Sequence, residues 1–143
     1  MTLSLFALLF VACLIPFIVT DAIWLTFVTA PEFRATLGGI MRDTPNWTAA
    51  LLFYALYGIG LVFLVAGPAI IQGTELPVVF GLGVCLGLVA YGTYELTNMA
   101  TLSAWTWKLV LLDTAWGAAL TGFASTLGVW LVRSFGPASG GAL

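Results

Sequence analysis

The stretch LPVVFGLGVCLGLVAYGTYELTNMA, residues 76–100, contains a single charged residue, Glu95. Its 25 residues exceed the about 20 that an α-helix needs to cross the hydrocarbon core of a bilayer. The run is continuously apolar rather than alternating, which favours a helix over a strand of a membrane barrel. The stretch therefore predicts a transmembrane helix with a carboxyl group near its carboxyl-terminal end.

Three more segments of the same kind surround this stretch. They are residues 3–29, with Asp21 as their only charge, residues 48–71, with no charge, and residues 109–132, with Asp113. Together the four segments predict an all-α integral membrane protein with four transmembrane helices in an up-down-up-down bundle. Pro31 lies just past the first segment and supports its limit. We expect one membrane domain over residues 1–132 and a short flexible tail over residues 133–143.

The composition agrees with a membrane protein and excludes several other classes. Charged residues make up 7% of the 143, against about 25% in a soluble domain. Ten charges are too few to cover a soluble surface, and four Lys and Arg residues provide no footprint for nucleic acid. Histidine is absent and the two cysteines lack metal-ligand spacing. We therefore expect the lipid bilayer as a partner, and no metal, cofactor or nucleic acid.

Three acidic residues lie inside the predicted spans, where each costs about 2.5–3.5 kcal/mol to insert. Asp21 is late in the first helix, Glu95 is late in the third, and Asp113 is early in the fourth. In an alternating bundle all three fall in one leaflet, on the side of the loops that join helices 1–2 and 3–4. All four tyrosines map to the same half. This half is therefore predicted to contain a polar pocket.

The predicted pocket combines the acids with aromatic and amide side chains at helical spacing. Its candidate residues are Asp21, Trp24, Tyr54, Tyr57, Tyr91, Glu95, Asn98, Asp113 and Trp116. Arg42 and Lys108, both in loops, are candidate partners for the carboxyl groups. Three states stay open: the acids are bridged to such bases, are protonated, or hold a cation or cationic ligand. For Trp47, Trp105 and Trp107, which flank helix starts, an interfacial aromatic belt is the simpler interpretation.

Small residues form ridges on the third and fourth segments. Gly83 and Gly87 precede Tyr91 and Glu95 at steps of four, and Gly117 and Thr121 follow Asp113 in the same way. Small residues allow close helix approach, so we expect these faces to meet inside the bundle. The ridges Gly83, Gly87, Gly117 and Thr121 are also candidates for contacts in a homodimer or a larger membrane complex.

Several motifs in this order resemble one known family. They are Asp21-Ala-Ile-Trp24-Leu25, Arg42-Asp43-Thr-Pro45-Asn46-Trp47, Tyr91-Gly-Thr-Tyr94-Glu95-Leu96-Thr97-Asn98-Met-Ala100-Thr101-Leu102 and Asp113-Thr-Ala-Trp116-Gly117. The chain resembles the bacterial membrane family Domain of Unknown Function 2177, over nearly its whole length short of the tail. The resemblance implies a four-helix inner-membrane protein of bacterial origin, and it implies no particular activity.

The distribution of basic residues predicts an orientation. The loops joining helices 1–2 and 3–4 carry Arg34, Arg42 and Lys108, whereas the other side carries Arg133 and the amino terminus. Cytoplasmic loops are enriched in Lys and Arg, so this bias favours a cytoplasmic position for these loops and periplasmic termini.

Three classes of function remain open at this stage. The first is binding or transport of a small molecule or ion through the membrane carboxyls. The second is an auxiliary subunit of a membrane complex, to which short loops and small-residue ridges are suited. The alternative is a membrane-embedded enzyme that acts on lipid or another membrane substrate, with two carboxyls as acid and base.

Overall fold

The computed structural model describes residues 1–136, and within that range the chain is entirely helical with connecting turns. Four helices are long and apolar enough to cross a membrane: α1 (Leu3–Ile40), α2 (Trp47–Gln72), α3 (Leu76–Thr101) and α4 (Trp107–Phe135). The predicted all-α class and the four spans are confirmed. α4 extends to Phe135 and so includes the first residues of the predicted tail, and residues 137–143 lie outside the described part.

Helix α1 continues well beyond the limit predicted at residue 29. Its α-helical part Leu3–Trp24 passes into a π-helical turn, Leu25–Thr29, and then into a second α-helical part, Ala30–Leu37. Pro31 lacks an N–H and its ring would crowd the carbonyl four residues earlier, which normally ends a helix. The wider turn avoids this conflict, because the Ala30 N–H bonds five residues back to the Leu25 carbonyl.

The same arrangement recurs in α2. A π-helical turn, Val62–Ala66, precedes Pro68, and the Gly67 N–H bonds to the Val62 carbonyl. In both helices the proline is therefore the second residue after a π turn, and the helix continues through it. Such turns are single insertions into α-helices and are frequent near functional sites.

The carboxyl-terminal part of α1 packs against the loop between α3 and α4. Leu37 is buried in one cluster with Trp105, Leu109 and Val110, and the Phe33 ring meets the Trp105 ring edge-on at 5.7 Å. Lys108 forms an ion pair with Glu32 at 2.7 Å. This extension therefore covers the α3–α4 loop from the outside.

Helix α4 is the central helix of the bundle and packs most closely against α3. A Cβ atom on Gly83 would lie 2.8 Å from the Gly122 Cα, and one on Gly87 would lie 2.7 Å from the Ala118 Cα. The predicted meeting of the two ridges inside the bundle is thus observed. Gly83, Gly87, Gly117 and Thr121 are all buried within the single chain, so this surface is not free for a homodimer, contrary to that expectation.

Side chains fix the helix ends in the ways the sequence favours. Asn46 caps α2 by accepting the Ala49 N–H at 3.1 Å, and Thr106 caps α4 through the Leu109 N–H. At the other side of the bundle Arg133 donates to the carbonyls of Ala69, at 2.9 Å, and Thr74, at 2.8 Å. A cation at the end of α2 satisfies free carbonyls and complements the helix dipole.

Helices α2 and α3 diverge from the turn that joins them. Their mutual packing is concentrated at Val62–Ala66, close to the turn, where Val62, Val65 and Val79 share the main apolar core with Leu9. Toward the other end the two helices separate. The space between them lies in the half of the bundle that contains the membrane carboxyls.

Candidate functional site

A cavity of about 470 Å³ occupies the space between the separated ends of α2 and α3. Its volume is in the range of small-molecule sites, about 300–1,000 Å³. All four helices contribute to its wall, which combines two carboxyl groups, four phenol rings and apolar side chains. The polar and aromatic lining residues are Asp21, Phe53, Tyr54, Tyr57, Tyr91, Tyr94 and Asp113.

Asp21 is held by donors from two other helices. The Tyr54 hydroxyl of α2 donates to Oδ2 at 2.8 Å, and the Trp116 indole N–H of α4 donates to Oδ1 at 3.2 Å. The Trp116 ring stacks on Trp24, with centroids 4.2 Å apart and planes inclined by 6°. Because each oxygen has one donor, Asp21 is oriented firmly while its free lone pairs stay available to a further partner.

The tyrosines of α2 and α3 form the deeper wall. The Thr121 hydroxyl donates to the Gly117 carbonyl at 2.6 Å, so the Tyr57 hydroxyl is the donor in its 2.7 Å bond to Thr121. The Tyr91 ring lies directly on Gly117, where a Cβ atom would overlap it, and meets Tyr57 edge-on at 6.2 Å. Gly117 is therefore required for the position of Tyr91. Within residues 1–136 the Tyr91 hydroxyl has no hydrogen-bond partner.

Glu95 lies behind the cavity wall and is fully buried, with 0% of its surface exposed. Its Oε2 accepts the Trp105 indole N–H at 2.7 Å, and Oε1 has no donor within the described residues. Glu95 and Asp113 are both buried on the facing sides of α3 and α4, one helical turn beyond the contacts that Gly87 and Tyr91 make with Gly117. The two acids therefore form a pair, of which Asp113 lines the cavity and Glu95 does not.

The predicted loop partners lie elsewhere. Lys108 pairs with Glu32 rather than with Asp113, and Arg42 is exposed and forms no ion pair within residues 1–136. Arg34 is exposed, and Arg133 is bound to carbonyls at the other side of the bundle. The interpretation that loop bases bridge the carboxyls is therefore wrong for Asp21, Glu95 and Asp113 in this structure. The prediction rested on the closeness of Lys108 to Asp113 in the sequence. In the structure, α1 brings Glu32 beside Lys108 instead.

Five of the nine predicted pocket residues line the cavity, namely Asp21, Tyr54, Tyr57, Tyr91 and Asp113. Trp24 and Trp116 support Asp21 from behind, and Glu95 supports Asp113. Asn98, half-buried one turn beyond Glu95, does not line the cavity. The four helices thus bring together most of the set, with Asn98 as the exception.

Three aromatic residues of the site were not predicted from the sequence. Phe53 and Tyr94 line the opening and are 43% and 52% exposed. Trp105 is only 6% exposed, so it is a buried donor to Glu95 and not part of an interfacial belt. Trp47 and Trp107, at 69% and 60% exposed, do occupy exposed helix starts. The available signal for Trp105 was its position in the short α3–α4 loop, ten residues after Glu95.

The chemistry available at the site is that of carboxyl and phenol groups. Among residues 1–136 no group of three or more Cys, Asp or Glu side chains is arranged to hold a metal ion. The lining described for the cavity contains no Ser, Cys or Lys nucleophile. The arrangement can attract positive charge, stack on flat or quaternary groups, and accept or release protons.

The fold and site define a multi-pass membrane protein with an acidic, aromatic cavity in one half of a four-helix bundle. Residues 6–130 match the family described as "Predicted membrane protein (DUF2177)", and the chain belongs to that family. This confirms the resemblance drawn from the motifs. No curated protein and no solved structure matches the chain.

Proposed function

We propose that the cavity binds a small hydrophobic cation that enters from the bilayer between α2 and α3, and that the protein serves its binding or transport. The observation that carries this proposal is that two carboxyls, those of Asp21 and Asp113, line a largely apolar cavity whose described lining contains no basic side chain. Buried carboxylates need a counter-charge or a proton, and a cationic ligand supplies the former.

The aromatic lining supports the same ligand class. Tyr54, Tyr57, Tyr91 and Tyr94 surround the carboxyls, and ring faces attract organic cations by about 0.5–2 kcal/mol each. Rings also accommodate the hydrophobic body of such a molecule. An anion or a sugar would find neither charge complementarity nor enough hydrogen-bond donors in this wall.

The shape supports access from lipid rather than from water. Phe53 of α2 and Tyr94 of α3 lie on opposite sides of the opening and are largely exposed on the outer faces of membrane helices. On the loop side, the extension of α1 packs over Trp105. A hydrophobic cation concentrated in the leaflet therefore reaches the carboxyls without crossing the polar loops.

Binding in nanodiscs tests the proposal directly. Tetraphenylphosphonium is a suitable probe because it is a permanent, bulky aromatic cation, and triphenylphosphine oxide is an uncharged relative. We expect saturable binding of the cation, measured by equilibrium dialysis against empty nanodiscs, and at least a tenfold weaker binding of the uncharged compound. A charge–charge contact that contributes about 1.4 kcal/mol to binding strengthens the affinity tenfold, and the uncharged compound lacks this contact.

Matched variants separate the cavity from general charge effects. Asp21→Asn and Asp113→Asn should each weaken binding of the cation, whereas Asp43→Asn, in an exposed loop, should leave it unchanged. Transport would appear as uptake of the bound cation into proteoliposomes. Equal binding by all three variants, or by empty nanodiscs, would show that the cavity is not the site.

We further propose that the protein lies in a bacterial inner membrane with both termini periplasmic. Support comes from Arg34, Arg42 and Lys108 on the side of the α1–α2 and α3–α4 loops. The cavity would then open in the cytoplasmic leaflet. If the chain associates with copies of itself or with other subunits, exposed faces such as that of Leu51, Leu52 and Leu56 on α2 are available, unlike the buried glycine ridges.

A further inference from the structure

Glu95 is a buried acid that ligand binding alone does not use. It has no exposed surface and does not line the cavity. Trp105 supplies a donor to one of its oxygens, and Oε1 has none from any residue in the range 1–136. An unpaired carboxylate oxygen in the membrane interior is costly, so its surroundings must account for it.

The acid of α4 on the side that faces Glu95 is Asp113, because the contacts of Gly87 and Tyr91 with Gly117 continue by one helical turn to these two buried residues. Two ionised carboxylates offer only acceptors to each other and repel, whereas an acid and a carboxylate are joined by one O–H···O⁻ bond. A proton shared between the two acids thus supplies the partner that Glu95 Oε1 lacks among the described residues. The Trp105 indole can donate to Glu95 Oε2 both when the proton is shared and when both acids are ionised.

We propose that Glu95 and Asp113 form a proton-binding site, and that binding of a hydrophobic cation beside Asp113 releases the shared proton to water. This inference rests on the proposed binding function and adds that the site exchanges a cation for a proton. The O–H bond between the two carboxyls breaks, both become carboxylates, and the proton leaves without any electron transfer. The pair changes from one negative charge to two, and the cation restores the original sum.

Within residues 1–136 no Lys or Arg side chain is paired with either acid in a way that would replace the proton. Asp21 of α1 lines the same cavity as Asp113, as do the phenol groups of Tyr91 and Tyr94 on α3. From α2, the Tyr54 and Tyr57 hydroxyls are already bonded to Asp21 and Thr121. Lys108, on α4, is engaged by Glu32. Since no described side chain supplies positive charge to the pair, a proton or a ligand is left to supply it.

Proton release can be measured while the cation binds. Tetraphenylphosphonium is added to the full-length protein in weakly buffered nanodiscs at near-neutral pH, and a pH indicator records the protons that appear. We expect about one proton per bound cation from the wild type, because the pair shares one proton. Glu95→Gln should still bind the cation but release none, since the amide donates to Asp113 permanently. Glu75→Gln, an exposed glutamate at the start of α3, should release protons as the wild type does.

The possible results separate the two proposals. Cation binding without proton release in the wild type would overturn the exchange and leave the binding function standing, whereas absence of cation binding would overturn both. If Glu95→Gln still released protons on cation binding, the proton would not be shared between Glu95 and Asp113. If that variant does not fold, infrared difference spectra of the wild type decide: a carbonyl band of a protonated carboxyl should disappear on binding, and its persistence would contradict the proposal.

Discussion

At the scale of single residues, the site depends on hydrogen bonds that link different helices. Asp21 of α1 receives donors from Tyr54 of α2 and Trp116 of α4, so one carboxyl group joins three helices. In the membrane interior no water replaces a lost donor, and a buried acceptor without its partner costs about 1–3 kcal/mol. The same bonds that orient Asp21 toward the cavity therefore also stabilise the bundle.

Removal of one such donor should be visible as lost stability. Tyr54→Phe deletes the hydroxyl that serves Asp21, and we expect a free energy of unfolding lower by about 1–3 kcal/mol. Thermal unfolding in a mild detergent, followed by circular dichroism, measures the change. Tyr91→Phe is the matched control, because the Tyr91 hydroxyl has no partner among residues 1–136 and its loss should leave the midpoint unchanged. Equal midpoints for the two variants would contradict the account of Asp21.

Sequence reasoning located these acids and tyrosines in one half of the bundle because helical spacing and alternation of direction fix depth. It could not assign the hydrogen bonds, since these depend on the rotation of each helix about its own axis. Trp105 shows the limit most clearly. A tryptophan beside a helix start fits an interfacial belt, and only the packing of Phe33 and Leu37 over it makes it a buried donor to Glu95.

At the scale of helices, two features position the cavity. The first is the contact of α3 with α4 through glycines, which brings Glu95 beside Asp113. The second is the pair of π turns at Leu25–Thr29 and Val62–Ala66, which carry α1 and α2 through Pro31 and Pro68. The sequence indicates the glycine contact, but the prediction that the first helix ends before Pro31 is wrong, because the helix continues to Ile40. A proline removes the ordinary hydrogen bond, and at Pro31 and Pro68 the helix continues after a π turn instead of ending.

The glycine contact provides a test at this scale. Gly87→Ala places a methyl group 2.7 Å from the Ala118 Cα, so the helices must separate, at a cost of about 1–3 kcal/mol. Gly81→Ala on the same helix meets no atom within 4 Å and should be neutral or stabilising by about 0.5–1 kcal/mol. The unfolding midpoint of Gly87→Ala should therefore be lower than that of the wild type, and the midpoint of Gly81→Ala should be equal or higher. A similar midpoint for both would show that the α3–α4 contact is looser than described.

At the scale of the whole molecule, the bundle is closed at one side and open at the other. Arg133 ties α4 to the end of α2 and to the turn before α3, and the apolar core lies at the same side. At the other side α2 and α3 separate around the carboxyls. This asymmetry places the cavity lined by Asp21 and Asp113 in one leaflet, and orientation decides which leaflet that is.

Orientation can be read from cysteine labelling in bacterial cells. A membrane-impermeant maleimide should label Glu75→Cys, near the α2–α3 turn, and should label Asp43→Cys only after the membrane is permeabilised. The expectation follows from the excess of Lys and Arg on the side of Asp43. The wild type, with Cys13 buried and Cys85 within α3, serves as the background. The reverse pattern would place the cavity in the periplasmic leaflet.

The central claim is that the cavity between α2 and α3 holds a hydrophobic cation against Asp21 and Asp113. Its most direct test is a crystal structure of the wild type with a brominated tetraphenylphosphonium, in which anomalous scattering locates the bromine. We predict a bromine site among the rings of Phe53, Tyr54 and Tyr94, with the cationic centre toward the two carboxyls, and no such site in Asp113→Asn. Bromine at an outer face of the bundle, with the cavity free of the cation, would contradict the account.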